Sequence, residues 1–207
     1  MHKIGAIILA AGMSKRMGEP KLLLSIHGQP LFRYVLGPVV ESSLQPIILV
    51  AGKYIEEIHQ HTVDFPEIKI IFNQNYAAGM STSLKLGIQS IKEHVDAVII
   101  FLADQPLVSS TVIQSLVKNY ETSRKEGIRI VRPKYQADLG HPILIDAELF
   151  NEFHKLEGDS GGKNIIKKYK HVMNIVSFEN PMWGADVDTP EDFMKMKQYF
   201  DLEHNKK

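Results

Sequence analysis

The chain has 207 residues, enough for one domain with a sizeable core or two small ones and too many for a stapled mini-scaffold. Its 24 Lys and Arg balance 24 Asp and Glu at 44% hydrophobic composition, which excludes a disordered chain and leaves no net field to hold nucleic acid or an anionic membrane. Cysteine is absent, which excludes disulfides, thiolate zinc sites, iron–sulfur clusters and a cysteine nucleophile together.

Ile4–Leu9 is an apolar run without a polar face, the pattern of a strand buried on both sides. With Lys3 ahead of it the run also has the look of a signal segment. Lys15 and Arg16 follow at once, however, and no stretch reaches the roughly 18 apolar residues of a membrane span, so a soluble cytoplasmic protein is expected. Further strands are predicted at Ile47–Val50, Ile68–Phe72, Ala97–Leu102, Ile128–Val131 and Val172–Val176. Helical spacing is predicted over Leu31–Glu41, with Gly37-Pro38 kinking or interrupting it, and over Ser83–Ile91 and Thr111–Tyr120. Thr189-Pro190-Glu191-Asp192 combines a cap hydroxyl, a first-turn proline and acids, which predicts a last helix running to about Phe200 with a polar, frayed tail behind it. Strand and helix in alternation imply a mostly parallel sheet between helix layers, with ligands at the carboxyl ends of the strands. Nothing marks a domain boundary, so a single domain over residues 1–207 is expected.

The loop after the first strand places Ala10, Ala11, Gly12 and Ser14 beside Lys15, Arg16 and Lys21. Small residues let backbone N–H groups approach an anion, and three cations can neutralise phosphate oxygens, so the loop is a candidate triphosphate cradle. It matches neither the G-x-x-x-x-G-K-S/T phosphate loop nor G-x-G-x-x-G. The alternative is a βα loop whose cations face water. A triphosphate enzyme also needs carboxylates to hold Mg²⁺. Asp104, after an apolar strand and before Gln105-Pro106, is one candidate, with a turn-forming aspartate as its alternative. Asp186 and Asp188, after a strand-to-loop passage, are the others, with one of the two expected to be structural. Asp192 is a helix N-terminal charge. Asn73, Gly79, Ser81 and Ser83 follow the third strand, where amides and hydroxyls can meet ribose or base, or simply cap a helix.

LAAGMSKRMGEPKLL resembles the signature of nucleotidyltransferases with the glycosyltransferase-A-like fold, L-A-A/G-G-x-S/G-x-R-M-G followed by lysine. Asp104-Gln105-Pro106 and Asp186-Val187-Asp188-Thr189-Pro190-Glu191-Asp192 match that family's metal positions. Asn73–Ser83 resembles N-P-x-W/Y-x-x-G-M-x-S/T-S, with Gln74 in place of proline. Gly140-His141-Pro142 and GDSGGKNIIKKY are similar to the molybdenum cofactor cytidylyltransferases. The resemblance covers nearly the whole chain. It implies a three-layer, Rossmann-like nucleotidyltransferase that uses Mg²⁺ and transfers CMP from CTP to molybdopterin, releasing pyrophosphate. It further implies Lys21 and Arg16 as catalytic cations. Leu9, Ala10, Ala11, Gly12, Ser14, Lys15, Asn73, Gly79, Ser81 and Ser83 would lie on the nucleotide, and Gly140 and His141 on the acceptor. A molybdenum hydroxylase such as xanthine dehydrogenase would be a transient partner. Related guanylyltransferases carry L-A-G-G, so the Ala11 methyl is expected to favour a pyrimidine. The rival expectations are use of GTP, a sugar or alditol phosphate acceptor, or a non-catalytic carrier of the cofactor.

Gly158-Asp159-Ser160-Gly161-Gly162 spells a serine-protease nucleophile segment and fits G-x-S-x-G. A hydrolase elbow needs a strand directly before the serine, whereas Phe150–Leu156 is predicted to be helical. The glycines are expected instead to link two helices. His59 and His61 are expected on the surface, and no H-E-x-x-H pattern supports zinc.

Overall fold

A computed structural model describes residues 2–14, 16–156, 158 and 162–205. Lys15 and Asp159–Gly161, for which the sequence carried expectations, lie outside the described residues. In chain order, β1 is Ile4–Ala10, β2 Ser25–Ile26 and β3 Gln29–Pro30. Helix α1 (Arg33–Val40), β4 (Ile47–Ala51), α2 (Ile55–Gln60) and β5 (Ile68–Phe72) follow. The middle of the chain is α3 (Met80–Ile91), β6 (Ala97–Leu102) and α4 (Ser110–Ser123). After it come β7 (Ile130–Tyr135), β8 (Asp138–Leu139), β9 (Ile143–Asp146), α5 (Phe150–Phe153) and α6 (Lys163–Lys168). Strand β10 (Met173–Phe178) and helix α7 (Pro190–His204) complete the chain.

The main sheet has the order β10-β7-β9-β6-β1-β4-β5, with β8 paired to β7. β1 lies parallel between β4 and β6, with Ile7 opposite Ile48 on one side and Ile100 on the other. Its position explains why the run carries no polar face. Ile4, Ala6 and Ile8 pack with Val35, Leu36 and Val39 of α1, Ile58 of α2 and Leu116 of α4. Ile7 turns the other way, to Leu84 and Ile88 of α3, Phe153 of α5 and Ile165 of α6. The result is a mostly parallel α/β/α sandwich, as the alternation of elements implies. A third, smaller cluster of Ile26, Leu31, Val187 and Met196 fastens the β2–β3 hairpin to α7.

The departures are local. β9, a four-residue strand directly behind Pro142, is antiparallel to both β6 and β7, and its short run was not anticipated. The strand expected at Ile128–Val131 starts at Ile130 and runs through Pro133 to Tyr135, and the expected Val172–Val176 strand is Met173–Phe178. α1 runs unbroken with Pro38 inside it, because burial of Val35, Leu36 and Val39 against the sheet outweighs one missing hydrogen bond. α7 reaches His204, past the expected end at Phe200. Among the described residues no helix is long and apolar enough to cross a membrane. The N-terminal apolar run is an inner strand of the sheet, between β4 and β6.

Candidate active site

The parallel strands β1, β4, β5 and β6 discharge their loops at one edge, where open α/β sheets bind ligands. The loop after β1 turns at Ser14, which takes a left-handed backbone (φ 53°). Ser14 accepts the Met17 N–H through its carbonyl (3.0 Å), and its Oγ accepts the Lys21 N–H (3.0 Å). This fold-back delivers Lys21 to the start of a short 3-10 turn.

Asp104 reaches the same point from β6. Its backbone carbonyl accepts the Val187 N–H (3.0 Å), while the preceding Ala103 N–H donates to Leu9 (3.1 Å). Asp186 and Asp188 come from an irregular segment after the turn Pro181–Gly184, rather than directly after a strand as the sequence suggests. The capping box of α7 fixes that segment. Thr189 Oγ accepts the Asp192 N–H, and Asp192 Oδ2 accepts the N–H groups of Thr189 (2.9 Å) and Asp188 (3.2 Å). Asp192 therefore serves the helix, as expected.

These elements build an ion cluster. Lys21 Nζ donates to Asp104 Oδ2 (2.5 Å) and Asp188 Oδ1 (2.8 Å), and Arg16 Nη2 donates to Asp188 Oδ2 (2.6 Å). The Lys21 side chain is 10% exposed and that of Arg16 68%. Burial works against the Lys21 charge, but the Asp104 carboxylate and the hydrogen bonds to Asp104 and Asp188 outweigh it and raise its pKa. Burial would likewise lift Asp188, yet Lys21 and Arg16 hold it below the usual carboxylate range. Asp186 is raised by burial and then by the charges of Asp188 and Asp104. The three aspartates thus share one electrostatic neighbourhood.

One polar atom in this cluster has no match among the described residues: Asp104 Oδ1 is buried and accepts no hydrogen bond from them. Such an orphan is rare in folded proteins and fits a carboxylate that accepts a ligand from elsewhere. Among the described residues no three His, Asp or Glu side chains form a ready-made metal cage, and Lys21 stands between two of the aspartates.

The other expected nucleotide residues lie around this point. Ala10 is buried in β1, and Gly12 is exposed with open space where a Cβ would project. Ala11 is buried against Gly52, the residue after β4. A Cβ on Gly52 would lie 3.1 Å from the Ala11 methyl and 2.9 Å from Tyr76 Cβ, so glycine is what lets the two loops close up. Gly79 (φ 107°) opens α3, and Ser81 and Ser83 are buried in its first turns. Asn73 is buried as well. Its Nδ2 donates to Thr82 Oγ1 (2.8 Å) and Ser83 Oγ (2.9 Å), and its Oδ1 accepts the Asn75 N–H (2.9 Å). In this conformation Asn73 and Ser83 brace the loop they were expected to present to a nucleotide.

Gly140 and His141 sit between β8 and β9, at the same edge of the sheet. The Tyr135 hydroxyl donates to the His141 carbonyl (2.7 Å), and its ring fills the space where Gly140 and Gly184 lack side chains. From β7, Arg132 Nε donates to the Gly140 carbonyl (2.9 Å). Burial, with the charges of Arg132 and Lys163, pushes His141 down to about 4. Gln105, buried, donates to the Gly184 carbonyl (3.2 Å) and so ties the Asp104 turn to this region. Sequence reasoning missed Arg132, Tyr135 and Gln105. The one available signal was a cation inside an otherwise apolar strand. β9 ends at Asp146 and α5 lies between it and Gly158, so among the described residues no strand leads toward Gly158 as a hydrolase elbow would require.

Residues 6–172 match the description of MobA-like NTP transferase domains. The chain belongs to that family. Among the relatives of this MobA-like chain is the molybdenum cofactor cytidylyltransferase of Escherichia coli, 28% identical over 97% of this chain and 98% of that one. Another is a probable molybdenum cofactor guanylyltransferase of Bacillus cytotoxicus, 30% identical over 95% of this chain and 97% of that one. A nucleotidyl transferase from Methanothermobacter superposes with a TM-score of 0.81 at 19% identity, covering 96% of this chain and 97% of its own. The architecture of the MobA-like chain is accordingly the α/β nucleotidyltransferase fold.

Proposed function

We propose that the chain, acting as a single nucleotidyltransferase domain, transfers CMP from CTP to the phosphate of molybdopterin and releases pyrophosphate. The observation that carries this reading is the Lys21 ammonium held between Asp104 and Asp188 beside the 11–20 loop. Family membership and whole-length similarity to a molybdenum cofactor cytidylyltransferase support the acceptor. The Ala11 methyl, buried against Gly52, supports a pyrimidine by narrowing the loop junction beside it.

In the reaction an oxygen of the acceptor phosphate attacks the α-phosphorus as the bond to the bridging oxygen of the leaving pyrophosphate breaks. No protein nucleophile and no redox step are needed. Lys21 supplies a buried point charge to the triphosphate. Arg16, exposed and tied by one bond, can turn its planar fork onto phosphate oxygens. Both act by position and charge. Asp104, with its orphaned Oδ1, and Asp186 and Asp188 are the residues that would hold Mg²⁺, whose preferred ligands are hard oxygens. When bound there the ion supplies Lewis-acid charge to phosphate oxygens.

Calorimetric titration with CTP, GTP and ATP, first with Mg²⁺ and then with EDTA, tests the reading. Preference for CTP that is lost in EDTA is the expected result. Preference for GTP overturns the Ala11 argument, and absence of nucleotide binding overturns the transferase. Product analysis with molybdopterin against sugar and alditol phosphates then tests the acceptor.

A further inference from the structure

Among the described residues, Arg132 is a cation with no acidic counterpart. It sits on β7 one residue past the Val131–Leu144 pair, toward the strand end that faces the catalytic edge. Its Nε and Nη2 donate to the Gly140 (2.9 Å) and Leu139 (3.2 Å) carbonyls, and Nη1 bonds no described residue. Carbonyl oxygens orient a guanidinium without neutralising it. Burial first, then the charges of Arg132 and Lys163, keep His141, which lies between β8 and β9, neutral at pH 7. Elsewhere the chain pairs its half-buried arginines: Arg124 with Asp146 (2.8 Å), Arg129 with Glu148 (2.7 Å) and Arg33 with Asp64 (2.6 Å).

We propose that Arg132 forms the subsite for a phosphate monoester on the acceptor, with the backbone of Leu139 and Gly140 aiming the guanidinium. The inference rests on the function proposed above and extends it to the acceptor. A charged, partly desolvated arginine left unpaired is costly, and the ligand that would relieve the cost is an anion. A guanidinium fork suits phosphate in particular. The reaction also demands such a subsite, because an anionic nucleophile must approach an anionic triphosphate. Arg16 and Lys21 are committed on the nucleotide side.

The test measures acceptor KM, kcat and CTP affinity for Arg132→Gln and Arg132→Lys. Because Arg132 also steadies residues 139–140, calorimetric CTP affinity and the charge-keeping Arg132→Lys guard against mere misfolding. Arg132→Gln should raise acceptor KM by about tenfold, the scale of one charge-assisted contact, with KM carrying more of the loss than kcat and CTP affinity unchanged. Arg132→Lys should recover part of it. Inorganic phosphate should compete with the acceptor in the wild type and more weakly in Arg132→Gln. Unchanged acceptor KM and unchanged phosphate competition in Arg132→Gln would overturn the subsite. If the wild type transfers no CMP, the proposed function fails separately, and calorimetric titration with inorganic phosphate decides the subsite alone. Weaker binding in Arg132→Gln than in the wild type and Arg132→Lys supports it, and equal binding overturns it.

Discussion

Where β1, β4, β5 and β6 run parallel, the cations at the strand ends are matched by carboxylates. Lys21 is clamped by Asp104 and Asp188, and Arg16 closes over the latter. Across β9, at the same edge, Arg132 is held among the described residues by carbonyls alone and raises the local potential around a neutral His141. On the proposed nucleotide side Lys21 and Arg16 are tied to carboxylates, whereas on the proposed acceptor side Arg132 has no acidic partner among the described residues. The difference follows from topology. Parallel strand ends deliver loops and carboxylates to one point, whereas β7 and β9, joined through β8, deliver a backbone turn braced from both sides by Arg132 and Tyr135.

That contrast can be broken most severely at the cluster itself. Lys21→Ala or Asp104→Asn should lower turnover, followed by pyrophosphate release, by roughly 10² or more, the cost of one preorganised charge contact. Near-normal rates for either purified variant would remove these residues from the chemistry. Next in size is the competition implied by a lysine lodged between two aspartates. Lys21→Met should bind Mn²⁺ without nucleotide about tenfold more tightly than the wild type, since the internal cation no longer occupies Asp104 and Asp188. Equal affinities, measured by electron paramagnetic resonance, would mean that Lys21 is not a competitor there.

A smaller effect is expected at the loop junction. Ala11→Gly removes the methyl packed against Gly52 and should cut the CTP over GTP ratio of kcat/KM several-fold, the scale of one methyl in a pocket. An unchanged ratio would place base selection elsewhere. The smallest is a pH effect on the acceptor side. His141 titrates at about 4 in the fold against an ordinary 6.5, so the folded state binds fewer protons than the unfolded one between those values. Stability should accordingly fall as pH drops from 6.5 to 4, and His141→Asn should flatten that segment of a urea-midpoint profile. Asp188, held low by Lys21 and Arg16, adds acid sensitivity only below its ordinary 3.8. A wild-type profile that is level across 6.5 to 4 would contradict the burial of His141 beside two cations.

The chain order carried most of the nucleotide side. β1 was legible because a strand buried on both faces leaves a continuous apolar run, Lys21 because it belongs to the cation-rich loop behind that run, and Asp104 because it stands two residues past the end of another. The cap of α7 was legible because Thr189-Pro190-Glu191-Asp192 satisfies its own backbone locally. Other features were hidden. β9 is a four-residue strand directly behind a proline and gains strand character only from pairing with β6 and β7. In β7 the apolar run is broken by Arg132-Pro133-Lys134, so the strand read as ending at Val131. Asn73 read as a polar loop contact, yet burial directs its amide to Thr82 and Ser83.

By itself, the sequence determined the strand-and-helix order, the cation-rich loop after the first strand and the aspartates that follow apolar runs, because these depend on residues adjacent in the chain. The tertiary structure alone decided that Lys21 stands between Asp104 and Asp188, partners 83 and 167 residues away, and that Arg132 donates to the carbonyls of Leu139 and Gly140. Charge pairing across such separations is set by strand order and register, which no local pattern encodes.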